Sequence, residues 1–371
     1  MRVSLRCGIA LSFVALVVAC GGATSEPAAV KTCAEDPSQP KCVAITPAID
    51  SGLRFYAARN GRFVGTALDA AFGATTAYDG LVSREFSIIT AANAQKWQTI
   101  HPTRTTYNYT RADAMLAFAQ ANGMKMRGHT LAWQNQNPAW LTGGGYPADT
   151  LAQILKDHIT TVLTHYKGTI YAWDVVNEAF NANGSIAPTI WSNALGRGYI
   201  ETAFRAARAA DPAALLFYND YNLEFTGAKQ DSAFVLVQDF KARGVPIDGI
   251  GFQAHFQINA DGTGVPSKSS LTSTFQRFAA LGVKIHITEL DIRVRTPGAT
   301  PSELSAQTQA YADIVGACVA VPACEVITVW GVTDTESWVP STFPGYGSAL
   351  LFDGALAKKA AWAAVKAALG G

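Results

Sequence analysis

Two glutamates, Glu178 and Glu289, each end a short apolar run, and a pair of carboxyl groups brought together in this way could carry out acid–base and nucleophilic chemistry. Cleavage of a glycosidic bond needs two carboxyl groups flanking the bond, one carrying a proton and the other ionised. A separation of about 5–5.5 Å between them gives retention of configuration through a covalent intermediate, whereas a wider separation gives inversion. The runs that precede these glutamates are the fourth and seventh along the chain, and their placement favours the shorter separation.

Polar side chains also end most of the other apolar runs, so the two glutamates are part of a wider pattern. These residues are Asn93 and Lys96, His129 and Trp133, Asn177 and Glu178, Asn219 and Asp220, Gln253 and His255, Glu289 and Asp291, and Trp330. The requirements of folding alone do not explain so many runs ending in this way. We therefore predict that the ends converge on one site.

Eight short apolar runs alternate with longer amphipathic segments, and this alternation predicts the fold. The predicted strands are 63–67, 87–90, 125–129, 171–177, 215–219, 249–255, 284–289 and 326–330. The predicted helices are 78–85, 110–122, 148–166, 192–210, 224–243, 269–281, 301–317 and 355–369. Eight strand–helix repeats indicate an α/β protein of the (β/α)8 TIM-barrel class, in which active sites lie at the carboxyl ends of the strands. A doubly wound open sheet is disfavoured, because no glycine-rich phosphate loop follows the first strand.

Length and charge narrow the class of protein further. The chain has 371 residues, 49% of them hydrophobic, which is enough for one large barrel with a substantial core. The formal net charge is +1, from 29 basic and 28 acidic side chains, so we expect no nucleic-acid partner. No cluster of His, Asp and Glu has the spacing of metal ligands, and we expect neither a catalytic metal nor a cofactor. We expect a monomer.

The N-terminal residues have the pattern of an export signal. Arg2 and Arg6 precede an apolar run at 9–18 that is too short to span a bilayer comfortably. The sequence Val-Val-Ala-Cys at 17–20 resembles a bacterial lipobox, which implies a lipoprotein-type signal peptide at 1–19 and a lipid-modified Cys20. Ordinary cleavage near Ala19 or Ala23 would instead release a secreted protein. We expect a flexible tether at 20–48 and a catalytic barrel at 49–371, so a lipid anchor at Cys20 would be the only membrane contact, in the bacterial cell envelope.

The other cysteines agree with export. Cys33 with Cys42 and Cys318 with Cys324 form two close pairs whose spacings do not fit a CxxC zinc or redox site. Disulfides persist outside the cytoplasm, and we predict both bonds. The six-residue separation of Cys318 and Cys324 can be bridged between a helix end and the next strand.

Several segments resemble glycoside hydrolase family 10, whose members are mainly endo-1,4-β-xylanases. The matching segments are Met126–Trp133 (MRGHTLAW), Trp173–Ala179 (WDVVNEA), Phe217–Glu224 (FYNDYNLE), Gly249–Phe256 (GIGFQAHF), Ile287–Ile292 (ITELDI) and Ile327–Trp338 (ITVWGVTDTESW). The resemblance covers about residues 50–369 and implies a TIM barrel that hydrolyses xylan and xylo-oligosaccharides with retention. It also implies Glu178 as the acid/base and Glu289 as the nucleophile.

The resemblance implies roles for residues around this pair. His255 would hold the nucleophile with support from Asp291, and Gln253 would touch the acid/base. The substrate-binding residues would be Asn177 at the 2-hydroxyl of the reacting sugar, Asn93, Lys96 and His129 on the non-reducing side, and Trp133, Trp330 and Trp338 in an aromatic cage.

Three positions depart from the family pattern. Ala92 stands where a sugar-binding glutamate is usual, Gln134 where a second histidine often follows the tryptophan, and Val339 where an arginine often follows Trp338. These changes leave two alternatives open: an enzyme that prefers another β-1,4-glycan, and a surface glycan-binding protein without turnover. The intact pair of glutamates argues against a pure binder, and we interpret the departures as altered substrate preference.

Overall fold

The structure of the chain is a computed structural model that describes residues 52–371. The predictions for the signal peptide, the tether, Cys20 and the Cys33–Cys42 pair therefore lie outside the described residues. The family resemblance and the predicted strand–helix repeats both lie almost wholly within them.

Eight parallel strands close into a ring, which confirms the predicted (β/α)8 barrel. The strands of the sheet are β1 (Phe63–Leu68), β2 (Ile88–Ala91), β3 (Lys125–Ala132), β4 (Ala172–Asn177), β5 (Leu215–Asp220), β6 (Gly249–Phe252), β7 (His255–Gln257), β8 (Lys284–Arg295), β9 (Cys324–Val329) and β10 (Tyr346–Gly347). The order around the ring is β8-β6-β5-β4-β3-β2-β1-β9, and pairing of β8 with β9 closes it. The short strand β7 pairs with the extended end of β8, and β10 pairs antiparallel to the same strand.

The strands are buried on both faces, which explains why they are continuous apolar runs rather than alternating ones. One face of each strand points into the barrel and the other meets the surrounding helices. On the outer face of the ring, Gly128 on β3 allows the indole of Trp173 on β4 to approach closely, because a Cβ at position 128 would lie 2.1 Å from that ring. Trp173 packs there against Tyr166 at the end of the helix 148–165, so a small residue on one strand makes room for a large one between the sheet and the helices.

The helices surround this ring and follow the predicted order. They are α1 (Leu53–Arg59), α2 (Thr76–Glu85), α3 (Trp97–Ile100), α4 (Thr110–Ala121), α5 (Ala139–Thr142), α6 (Ala148–His165), α7 (Ile190–Leu195), α8 (Gly198–Ala210), α9 (Ala228–Ala242), α10 (Lys268–Ala279), α11 (Pro301–Val319), α12 (Val339–Thr342) and α13 (Ala360–Ala368), with a 3₁₀ turn at Asp334–Glu336. Among residues 52–371, no helix combines the length and apolarity that crossing a bilayer requires.

Two predicted helices differ from those observed. The segment 192–210 is two helices, because Gly196 adopts a φ of 61° and ends α7 before α8 begins. The segment 355–369 becomes helical only at Ala360, after Phe352 has formed isolated bridges with Thr333 and Lys358. Residues 353–357 form a turn between the bridging positions 352 and 358, so the helix starts only after this turn.

The predicted strand 249–255 is also divided, and the division lies beside the site. Strand β6 ends at Phe252, and β7 starts at His255 after a turn in which Ala254 has a φ of 60°. An L-residue in this left-handed conformation cannot continue a strand. In one continuous strand Gln253 and His255 would point to the same face in parallel directions, and the turn changes the angle between them.

A disulfide between Cys318 and Cys324 joins the end of α11 to the start of β9, with a Cα–Cα distance of 5.2 Å. Both cysteines are buried. Because β9 pairs with β1 on one side and with β8 on the other, the bond ties the helix of the seventh repeat to the strand that closes the ring.

Replacing both Cys318 and Cys324 by alanine should lower the free energy of unfolding by about 2–3 kcal/mol, since the bond restricts a short loop of the unfolded chain. Urea unfolding of residues 49–371, followed by circular dichroism, measures this loss. The parent protein should lose a similar amount when reductant is added, whereas the double variant should not respond to reductant. Equal stability of parent and variant under oxidising conditions would contradict the expectation.

Candidate active site

A cleft of about 590 Å³ opens at the carboxyl ends of the barrel strands. Its lining includes all the predicted catalytic and substrate-binding side chains, which are Asn93, Lys96, His129, Trp133, Asn177, Glu178, Gln253, His255, Glu289, Trp330 and Trp338. Asp291 lies behind this surface and is buried. The strand ends that are distant in sequence thus meet around one cavity.

Glu178 directly follows β4 and receives hydrogen bonds from neutral groups. Its Oε2 accepts from the indole of Trp133 at 2.7 Å and from Gln134 at 3.4 Å. Its Oε1 accepts from Asn177 at 3.1 Å and from Gln253 at 3.0 Å. The residue has a φ of 57°, an unfavourable conformation for a side chain with a Cβ, and its backbone N–H donates to the carbonyl of Asn219 at 2.9 Å. The strand end therefore fixes the direction of this carboxyl group.

Glu289 lies within β8 and has cationic as well as neutral partners. Its Oε1 accepts a hydrogen bond from Asn219 at 2.8 Å, and its Oε2 is 3.2 Å from Nε2 of His255. Burial raises the pKa of Glu289, but the hydrogen bond from His255 and the positive charges of His129 and His255 outweigh burial. The net result is a pKa below the ordinary value, so this carboxyl group is ionised at neutral pH.

His255 bridges two carboxylates. Its Nδ1 is 3.0 Å from Oδ2 of Asp291, and its Nε2 faces Glu289. Burial lowers the pKa of His255, yet the charge and hydrogen bond of Asp291, followed by those of Glu289, raise it to about 10. The imidazole is therefore a cation that donates from both nitrogens. Trp338 donates to the same oxygen of Asp291 at 2.7 Å and so helps to fix the carboxylate that orients His255.

A continuous path of hydrogen bonds connects the two glutamates. Asn177 donates to Glu178, and its Oδ1 accepts from Asn219 at 2.8 Å. Asn219 donates in turn to Glu289, and its own Oδ1 accepts from Thr288 at 2.7 Å. The amides of Asn177 and Asn219 are each hydrogen-bonded on both sides. A displacement of one glutamate carboxyl group would therefore shift the other.

A buried ion network supports the floor of the cleft. Arg127 forms two hydrogen bonds with Asp174, at 3.1 and 2.6 Å, inside the barrel. Asp174 also contacts Nδ1 of His129 at 3.0 Å, and His129 lies 4.0 Å from Oε1 of Glu289. Burial raises the pKa of Asp174, but Arg127 and His129 outweigh it and hold that pKa below the ordinary value. Asp174 therefore fixes the position of His129, which lines the cleft.

One end of the cleft is lined by amide, ammonium and carboxylate groups. Asn93 donates to Asp69 at 2.6 Å and accepts from Lys96 at 3.1 Å and from Gln136 at 3.0 Å. Burial lowers the pKa of Lys96, although the negative charges of Glu289, Glu178 and Asp69 oppose that change. This end is suited to binding the hydroxyl groups of a neutral sugar. Ala92 borders it and offers no polar group.

Three tryptophans line the cleft, and two of them also donate hydrogen bonds. Trp133 contacts Glu178 and lies beneath the ammonium group of Lys96, which is 4.8 Å from the ring centroid. Trp338 packs against His255 with centroids 5.0 Å apart. Trp330 packs edge-on against His129 at 5.3 Å. Their positions combine apolar surface for a sugar ring with control of the catalytic side chains.

The sequence reasoning did not assign a role to Asn219, Asp174 or Gln134. Asn219 belongs to the pattern of polar strand ends, so the sequence predicts its place in the site. The sequence does not predict its contacts with Asn177 and Glu289. Asp174 lies within a predicted strand, where a buried carboxylate is a signal for a partner such as Arg127. Among residues 52–371, no group of three or more His, Cys, Asp or Glu side chains is arranged to hold a metal ion.

Known proteins resemble this chain over nearly all of the described region. The endo-1,4-beta-xylanase A of Phanerodontia chrysosporium is 44% identical over 302 residues, which cover 81% of this chain and 72% of that protein. The endo-1,4-beta-xylanase B of Thermotoga neapolitana is 41% identical over 84% of this chain and 90% of its own length.

Solved structures agree with the barrel. Native xylanase 10B from Thermotoga maritima superposes with a TM-score of 0.83 at 41% identity, covering 86% of this chain and 98% of that one. Xylanase 10B from Thermotoga petrophila, solved in complex with xylobiose, gives a TM-score of 0.83 at 39% identity over 88% of this chain and 99% of that one. The sequence model of glycosyl hydrolase family 10 matches residues 52–368. The chain therefore belongs to glycosyl hydrolase family 10.

Proposed function

We propose that this protein is an endo-1,4-β-xylanase that hydrolyses internal bonds of xylan with retention of configuration. The observation that carries the proposal is the difference in environment between two carboxyl groups in one cleft. Glu289 is held by an imidazolium and an amide, whereas Glu178 receives hydrogen bonds from indole and amide groups only. The xylanase names of the relatives support xylan as the substrate.

In the first step, ionised Glu289 attacks the anomeric carbon while Glu178 gives its proton to the departing sugar oxygen. The bond between the two sugars breaks, and a covalent glycosyl–enzyme ester forms. Glu178, now ionised, removes a proton from water, and the water oxygen attacks the same carbon and releases Glu289. Two inversions give net retention.

In this proposal, the residues around the two glutamates either bind the sugar or orient one of the glutamates. Asn177 binds the 2-hydroxyl of the reacting sugar, a contact that strengthens in the transition state. Asn93, Lys96 and His129 bind hydroxyl groups on the non-reducing side. His255, supported by Asp291, keeps Glu289 ionised and oriented, and Gln253 orients Glu178. Trp133, Trp330 and Trp338 enclose the sugar.

We also propose an exported enzyme. Residues 1–19 would be removed as a lipoprotein-type signal peptide, Cys20 would carry the lipid, and residues 20–48 would tether a barrel formed by 49–371. The Arg2 and Arg6 n-region, the apolar run and the Cys20 position support this organisation. Release as a secreted enzyme would follow if Cys20 is not modified. Because one chain supplies the whole cleft, we propose that the enzyme acts as a monomer.

Replacing Glu289 by alanine should abolish hydrolysis of xylan, because the substitution removes the proposed nucleophile. Replacing Glu178 by alanine should lower kcat on xylan by about 10²–10⁴-fold, and azide should restore release of the aryl group from an aryl xylobioside. The product of rescue should be the β-glycosyl azide, identified by NMR. Glu325→Ala, at the opposite end of the barrel, is the matched control. A folded parent that leaves xylan intact would exclude the proposed function, and an α-azide product would exclude retention.

Replacing His255 by asparagine should move the acid limb of the kcat/KM profile to higher pH. The substitution removes the hydrogen bond and positive charge that lower the pKa of Glu289, while the burial that raises this pKa remains. Glu289 would then accept a proton at higher pH and lose activity there, as measured with an aryl xylobioside across pH. His165→Asn, at a histidine paired with Asp113 on the surface, should leave the limb in place. An unchanged acid limb in His255→Asn would contradict this account.

The full-length chain expressed in a bacterium should partition into the detergent phase of a Triton X-114 extraction and show the mass of a lipid-modified Cys20. Cys20→Ala should move the enzyme to the aqueous phase, and Cys7→Ala should not. Recovery of the parent in the aqueous phase, with an N-terminus other than Cys20, would support the secreted alternative instead.

A further inference from the structure

A single turn carries one partner of each catalytic glutamate. Gln253 contacts Glu178 at 3.0 Å, and His255 contacts Glu289 at 3.2 Å. Only Ala254 separates them, and its φ of 60° sets the angle between the two side chains. The conformation of this one residue therefore affects both carboxyl groups.

The backbone of Ala254 is held on both sides. Its N–H donates to Oε1 of Glu224 at 2.6 Å, and its carbonyl accepts from the N–H of Asp291 at 3.3 Å. The N–H of the preceding residue, Gln253, donates to the carbonyl of Asp220 at 3.1 Å. Of these three hydrogen bonds, only the one to Glu224 involves a side chain. Glu224 lies in the loop between β5 and α9 with 1% of its surface exposed.

A buried carboxylate at this position has a specific physical effect. A left-handed conformation is unfavourable for alanine and persists only when the surroundings enforce it. Burying the Ala254 N–H without an acceptor would destabilise this conformation. A hydrogen bond to a carboxyl oxygen therefore favours it over the extended conformations, and the bond is stronger when the carboxyl group is ionised.

We propose that Glu224 is a positioning residue for catalysis, which holds the turn at Ala254 so that Gln253 reaches the acid/base and His255 reaches the nucleophile. The inference rests on the proposed function and deepens it, because it assigns one buried side chain control over both catalytic carboxyl groups. Glu224 does not line the cleft and touches no reacting atom.

The electrostatics of Glu224 agree with this role. Burial raises its pKa to about 7, against the opposing effects of its own N–H, the Ala254 N–H and the positive charges of His255 and Lys229. The Ala254 N–H and His255 thus favour the charged form of Glu224, although burial has the larger effect on its pKa.

Glu224→Ala should lower kcat on the order of 10²-fold on both xylo-oligosaccharides and an aryl xylobioside, since a displacement near 1 Å has that cost. KM should change much less, because the sugar contacts remain. The acid limb of kcat/KM should also move to higher pH, since a displaced His255 no longer lowers the pKa of Glu289. Glu224→Gln, whose amide oxygen can still accept the Ala254 N–H, should recover most of kcat.

Glu85→Ala is the matched control. Glu85 is also fully buried, and its Oε2 accepts a backbone N–H, from Leu53 at 3.1 Å, but it lies outside the cleft. This variant should lose stability without changing kcat or the acid limb. If Glu224→Ala does not fold, Glu224→Asp takes its place, because the shorter side chain withdraws the acceptor while keeping a carboxylate.

Crystal structures of the parent and of the Glu224 variant give a readout that is independent of substrate. The expected result is a residue 254 that leaves the positive-φ region and a loss of the contact at Glu178, at Glu289 or at both. Retention of both contacts, or a kcat and acid limb equal to those of Glu85→Ala, would overturn the inference. Failure of the proposed function would give a different result, namely a folded parent without activity on xylan. The crystal structures would still decide in that case whether Glu224 holds the turn at Ala254.

Discussion

The hydrogen bond between His255 and Glu289 is the interaction on which the site depends. Burial of Glu289 disfavours its charge. The imidazolium of His255, held by Asp291 and Trp338, reverses that tendency. Glu178 is only half-buried, and its hydrogen bonds come from neutral indole and amide groups. The proposed chemistry follows from this asymmetry rather than from the presence of two glutamates.

The barrel produces the asymmetry by interrupting regular structure where the strands end. Glu178 and Ala254 both adopt left-handed conformations, and the pairing of β3 with β4 shifts in register beside His129. Inside the ring, the Arg127–Asp174 ion pair fixes His129 from below. The regular part of each strand thus holds the barrel rigid, and the irregular residues at its end set the direction in which the site side chains point.

Much of this could be predicted from the sequence. The eight strand–helix repeats and the convergence of their polar ends followed from the apolar runs. The family and the full set of eleven cleft residues, including Trp338, came from the resemblance of six segments to that family. The turn at Ala254 could not be predicted, since no glycine, proline or asparagine marks it, whereas Gly196 and Gly198 are a signal for the break that the predicted helix 192–210 did not take into account. Contacts such as Asn219 with both Asn177 and Glu289 depend on the curvature of the ring, which brings three strands together in a way that no local pattern encodes.

The three departures from the family pattern all lie outside the regular part of the barrel. Ala92 follows β2, Gln134 follows β3, and Val339 begins α12. The strands that hold the charge network end before these positions. Ala92 and Val339 can therefore vary without changing a side-chain hydrogen bond of Glu178 or Glu289, whereas Gln134 donates to Glu178. A substitution in a connecting segment thus reaches the proposed chemistry only where its side chain contacts one of the two glutamates.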